Sequence, residues 1–224
     1  MMAQRDGEIP DTHKIYYTTT DGNVVSVLES SFKGGNLVSN TYENGQGILL
    51  FDNVVTEIQR GAFSSSNLQT LTIPDGVETI GASIVPSGYY LLAVYGKFAT
   101  PDNRCLVVDG VLKVFAQSGL TSYNIPDDVT ALEDYAFNDC AFLHKVVVPS
   151  SVTSIGLACF YNMGRMLSDG VIVQVQRYRA PSLGEYAFSP DVGGGLQIQV
   201  QSDRVDYYKS NKYWSAYANY ITGY

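Results

Sequence analysis

VTEIQRGAFSSSNLQTLTIPDGV, residues 55–77, returns as VTALEDYAFNDCAFLHKVVVPSSV at residues 129–152. It begins a third time as VTSIGLACFYNMGRML at 152–167 and survives as SLGEYAF at 182–188. Val55 and Val77 hold one place 22 residues apart, and Val129 and Val152 hold it 23 apart. A unit this short cannot bury its own apolar face, so the copies must stack and share a core. Each copy has two halves. The first, V-T-x-I, is a short extended piece that leads to a small residue and a ring: Ala62-Phe63, Ala136-Phe137, Cys159-Phe160 and Ala187-Phe188. The small residue lets backbones approach and the ring fills the space between layers. A short helical turn at this point would put Phe137 and Cys140 on one inward face. The second half alternates, as in Leu71-Thr72-Ile73-Pro74, Tyr123-Asn124-Ile125-Pro126 and Val146-Val147-Val148-Pro149. Proline ends each strand because it has no amide proton for the ladder. The reading is an α/β solenoid with a parallel sheet on one face.

Outward from the repeats, residues 1–46 read as an N-terminal cap. Its β-hairpin would pair Ile15–Thr18 with Val24–Leu28 around Asp21-Gly22, and a loop would follow over 29–46. The solenoid would run over 47–200, opening with the apolar strand Gly47–Phe51. Residues 84–116 break the pattern and read as an irregular unit carrying a hairpin, Cys105–Val108 with Val111–Phe115, around Asp109-Gly110. Residues 201–224 read as a C-terminal helical cap. Ser202 or Asp203 would cap a helix there, and Trp214, Tyr217, Ala218 and Ile221 fall on one helical face that closes the last repeat.

Composition excludes several function classes. The chain has 224 residues, 45% of them hydrophobic and 16% charged, which is a globular balance. Its net charge is −8 and its 14 basic residues form no run, so a nucleic-acid partner is not expected. No stretch approaches the roughly 20 apolar residues of a membrane span. The N-terminal MMAQRDGEIPDTHK lacks the apolar core of a secretory signal.

Chemistry is sparse. Cys105, Cys140 and Cys159 are odd in number, which is no disulfide framework, and they read as small core residues. His13 and His144 are too far apart and too few to build a metal site with these cysteines. Asp127-Asp128 and Glu133-Asp134 read as solvated turn residues. Gly193-Gly194-Gly195 lacks the Lys-Ser or Lys-Thr of a phosphate loop. No catalytic residue, metal or cofactor is expected.

The remaining candidates are the outward residues of the strands: Thr70 and Thr72, Ser122 and Asn124, Lys145 and Val147, Ile172 and Gln174, Gln197 and Gln199. Of these, Thr72, Asn124, Lys145, Val147 and Ile172 are the expected ligand contacts, with Val147 and Ile172 apolar and exposed. Tyr89 and Tyr90, in the irregular unit, are a second candidate patch, because loop aromatics on a rigid scaffold contact partners.

IPDGVETIG and VPSSVTSIG, with A-F and C-x-x-L after them, resemble the BspA-type leucine-rich repeat over about residues 47–200. IYYTTTDG and VDYYKSNKYWSAYANYI resemble segments that flank such repeats. The resemblance implies a curved right-handed solenoid with its strands on one face. It also implies a secreted or cell-surface adhesin that binds a protein or glycan of a host or neighbouring cell, without catalysis. The missing signal motivates an alternative, a phage virion adhesin of the tail-fibre or decoration type. A glycan hydrolase is the third reading.

Overall fold

In the computed structural model, which describes residues 11–64, 67–85, 90–190 and 194–224, the chain winds as a β-solenoid of about seven turns. Its N-terminal half holds β1 (Lys14–Thr19), β2 (Phe32–Lys33), β3 (Leu37–Glu43), β4 (Gln46–Phe51), β5 (Glu57–Ile58), β6 (Leu68–Ile73), β7 (Thr79–Ile80) and β8 (Ala93–Gly96). The longer strands form one sheet in the order β3-β4-β1-β6-β8, and the two-residue strands form another, β2-β5-β7. Strands therefore line two walls of the solenoid, where the sequence led us to expect one.

The expected N-terminal hairpin does not form. β1 pairs antiparallel with β4 on one side and β6 on the other, so it is a central strand. Both edges of β1 are thereby taken, and Asp21 Oδ1 accepts the Asn23 amide at 3.1 Å and the Asn67 side chain at 2.8 Å, tying the turn to a distant loop. The hairpin lies at β3–β4, inside the stretch read as a loop. Its tip, Asn44-Gly45, has φ of 51° and 82°, the left-handed pair that a two-residue turn with the right strand twist requires.

The expected second hairpin does form. β9 (Cys105–Val108) pairs antiparallel with β10 (Val111–Phe115), and the tip residues Asp109 and Gly110 are both left-handed. Beyond it come β11 (Ser122–Asn124), β12 (Ala131–Leu132), β13 (Lys145–Val148), β14 (Ser154–Ile155), β15 (Val171–Val175), β16 (Ser182–Leu183) and β17 (Leu196–Val200). One sheet runs β11-β13-β15-β17, and the opposite one runs β16-β14-β12-β10-β9. Between β12, β14 and β16 the pairing is parallel, as it is along β11-β13-β15-β17.

A third wall is made by the A-F segments. These are turns, and no helix forms in them. The Phe137 amide donates to Cys159 O at 2.9 Å and the Phe160 amide to Ala187 O at 2.8 Å, so each coil hydrogen-bonds to the next. Tyr135, Ala158 and Tyr186 precede the A-F pairs with φ of 62°, 48° and 53°, and Gly61 matches them at 71°. A left-handed residue in each coil interrupts any helix and aims the following amides along the stack. Phe137 and Cys140 still point inward, both fully buried.

The core is two clusters. Phe32, Phe51 and Phe63 pack in the N-terminal one. In the other, ring centroids step through Phe115, Phe137, Phe160 and Phe188 at 4.6, 5.1 and 5.5 Å. Phe63 thus stands outside the column of the other three A-F rings. The β9–β10 hairpin is the shared wall. Cys105, Leu112 and Phe115 face the second cluster, while Leu106, Val108, Val114 and Ala116 face the first.

The C-terminal end is closed by two short helical pieces that Asn211 separates, as the sequence allows, and the second is a 3-10 segment. A 3-10 turn at Ser202–Arg204 runs into α1 (Val205–Ser210), and a second 3-10 segment (Ser215–Tyr220) leads to β18 (Ile221–Gly223). Neither Ser202 nor Asp203 caps α1 with its side chain; the Ser202 hydroxyl donates to Tyr224 O at 2.9 Å. Trp214 is fully buried against Phe188 and donates its indole N–H to Pro181 O at 2.7 Å. β18 adds to β17 as a last parallel strand.

Candidate functional site

The register of the C-terminal sheet sets its outward residues in two rows. Ser122, Lys145, Ile172 and Gln197 are paired across β11, β13, β15 and β17. Asn124, Val147, Gln174 and Gln199 form the second row, which Thr222 of β18 extends. The inward partners Val146, Val148, Val173 and Ile198 are fully buried, so alternation leaves these residues nowhere but the outer face. The candidates Asn124, Lys145, Val147 and Ile172 therefore stand on one surface. Val147 and Ile172 are half-buried rather than exposed.

Gln199 Nε2 donates to Gln197 Oε1 at 2.9 Å, joining the two rows on β17. Asn124 is exposed, and no described group bonds its amide. At the far end of the strands, Asn124, Val147 and Gln174 border a concavity of about 520 Å³ whose wall includes Pro126, Asp127 and Pro149. It offers free amides and one carboxylate beside apolar ring edges.

Thr72 is elsewhere. It stands on the N-terminal sheet, in a row with Tyr16 of β1 and Tyr95 of β8. Ile48 of β4 and Thr41 of β3 continue that row. A second concavity, of about 230 Å³, opens beside Tyr16 and Thr72 and is bordered by Asp11, Lys14 and Asp75. The Tyr16 hydroxyl donates to Asp11 Oδ1 at 2.8 Å, which with Lys14 holds the Asp11 carboxyl below its ordinary range. Tyr90 is exposed on the same half of the molecule, and Tyr89 lies outside the described residues.

Sequence reasoning missed Tyr16 and Tyr95. The alternation of Lys14–Thr19 was legible, but its pairing with β6, more than fifty residues away, was not. Tyr95 sat in a segment that departs from the repeat.

The cysteines are core residues. All three cysteines are free and fully buried, and burial pushes the Cys105 thiol up to about 12 and the Cys140 and Cys159 thiols well above their ordinary value. Among the described residues, no group of three His, Cys, Asp or Glu side chains is placed to hold a metal. His144 Nδ1 lies 2.8 Å from Gly170 O, a link between neighbouring coils. The carboxylates expected to be solvated turn residues are structural at one pair: Glu133 joins Lys113 in an ion pair, and Asp134 Oδ1 accepts the Leu157 amide at 2.7 Å. No described helix is long and apolar enough to cross a membrane.

No curated protein matches the chain. The family described as BspA type leucine rich repeat region matches residues 12–86 and 112–190, in six copies. The gap between the matched segments holds β8 and β9. With the match covering well over half its length, the chain belongs to the BspA-type leucine-rich repeat family.

Proposed function

We propose that this chain is a recognition module that works outside the cell and holds a macromolecule of a host or neighbouring cell, with no covalent step. Leucine-rich repeat scaffolds typically bind proteins, which supports the reading. The observation that carries it is the pair of outward rows on β11, β13, β15 and β17, with Asn124, Val147 and Gln174 at the lip of a concavity. A sheet fixed by parallel ladders and a packed core loses little freedom when a ligand docks, so more of the contact energy appears as affinity. Asn124 and Gln174 supply donors and acceptors, Lys145 a charge, and Val147 and Ile172 an apolar centre.

The test is a surface substitution. Asn124→Arg with Val147→Arg is expected to weaken capture on immobilised extracellular-matrix proteins and on intact cells by about tenfold or more, which is about 1.4 kcal/mol. Thermal unfolding should barely move, since both side chains face out. Full capture by the double variant would remove this face as the binding site.

A further inference from the structure

The row Thr41–Ile48–Tyr16–Thr72–Tyr95 crosses all five strands of the N-terminal sheet. Tyr16 and Tyr95 stand on strands β1 and β8, which flank β6 and its Thr72. Neighbouring strands are about 4.8 Å apart, so the two rings rise from the sheet roughly 9.6 Å apart. Tyr95 is 40% exposed, and no described group bonds its hydroxyl or stacks on its ring. The Thr72 hydroxyl between them is also unbonded among the described residues. Tyr16 is fixed from one side by its hydrogen bond to Asp11.

We infer that this row takes a polyproline-II segment of a protein partner, a site separate from the C-terminal face. A polyproline-II helix repeats every three residues, about 9.3 Å, and so sets prolines i and i+3 at nearly the separation of the two rings. Proline-rich segments dock on aromatic surfaces because their rings pack on the aromatic faces and the helix is already formed before binding. Their carbonyls have no internal partners, and the Thr72 and Tyr95 hydroxyls are donors placed to meet them. Beyond Tyr16, Ile48 extends the apolar track by one more strand. Charge agrees with an uncharged segment. The row holds no ionised side chain, Asp11 is paired with Lys14 at 3.4 Å, and Lys97 Nζ donates to Asp75 O at 3.1 Å, which sets a cation beside the remaining acid. The inference shares with the proposed function only the premise that the chain binds proteins.

The experiment titrates the full chain with an acetylated nonaproline amide, followed by NMR of the tyrosine rings, with a Gly-Ser peptide of equal length as the control. Saturable binding of nonaproline alone is expected. Tyr95→Ala should weaken it about tenfold, Tyr95→Phe should retain it to within about threefold, and Asn124→Arg with Val147→Arg should leave it unchanged. Absence of saturable binding overturns the inference, and so does binding that Tyr95→Ala leaves intact. Tyr95-dependent binding of cellohexaose without binding of the peptide overturns it too, making the row a glycan platform. Loss of matrix-protein capture in the Asn124 and Val147 variant, with nonaproline inactive, would leave the proposed function standing while this inference fails.

Discussion

At the scale of single residues, the molecule rests on rings and on left-handed turns. Phe137 touches a ring on either side, Phe115 at 4.6 Å and Phe160 at 5.1 Å, and is fully buried. Phe137→Ala should therefore lower unfolding stability by about 3–5 kcal/mol, measured by urea titration, because the neighbouring coils are hydrogen-bonded to each other and cannot collapse into the void. A loss under about 1 kcal/mol would mean that the column does not bear on stability. Tyr135, Ala158 and Tyr186 were visible as members of the repeat, but their positive φ was not. No residue type in these positions announces it, since only Gly61 is the type expected there. The same limit hid the role of Asp134: a carboxylate in a turn looks solvated until the next coil brings the Leu157 amide to it.

At the scale of elements, the choice between two turn signals decided the N-terminal half. Asp21-Gly22 and Asn44-Gly45 are both strong hairpin tips by composition, and only the second closes one. What separates them is the sheet. β1 is paired on both edges by β4 and β6, so no edge is left for residues 24–28 to occupy. Replacing Asn44-Gly45 by Ala-Ala should lower stability by about 2 kcal/mol, because two side chains would then be held in left-handed conformation. Gly22→Ala alone should do less, as only Gly22 is left-handed in that turn and the Asp21 hydrogen bonds are kept. Thermal melts of the two variants give the comparison, and equal losses would refute the assignment of the turns. β9–β10 was legible because it is local: its strands are joined by two residues, and their pairing needs no distant partner.

At the scale of the whole molecule, the two core clusters share the β9–β10 hairpin. Its side chains alternate between them, so neither cluster can lose its wall without exposing the other. A latch reinforces the junction. Asp102 is drawn up by burial, but hydrogen bonds from Thr100, the Arg104 amide and Tyr123 outweigh this and hold its carboxyl below the ordinary range. The Tyr123 bond ties the loop before β9 to β11. The chain should therefore unfold in one transition. Trp214 is its single tryptophan and reports on the C-terminal cluster alone, so tryptophan fluorescence and far-UV circular dichroism should give one midpoint in urea. Two midpoints would show that the stacks are independent.

The repeats, their spacing and their inward residues were fixed by local pattern, because burial in a stack forces the same apolar types into the same places in every copy. Tertiary structure alone decided which strands meet. Pairing partners that lie tens of residues apart leave no mark on local composition, and so the central place of β1, the second wall, the division of the core and the row of Tyr16, Thr72 and Tyr95 all came from the register of distant strands. The outward positions are the least constrained by packing, and for that reason they carried the least information until the ladders set them side by side.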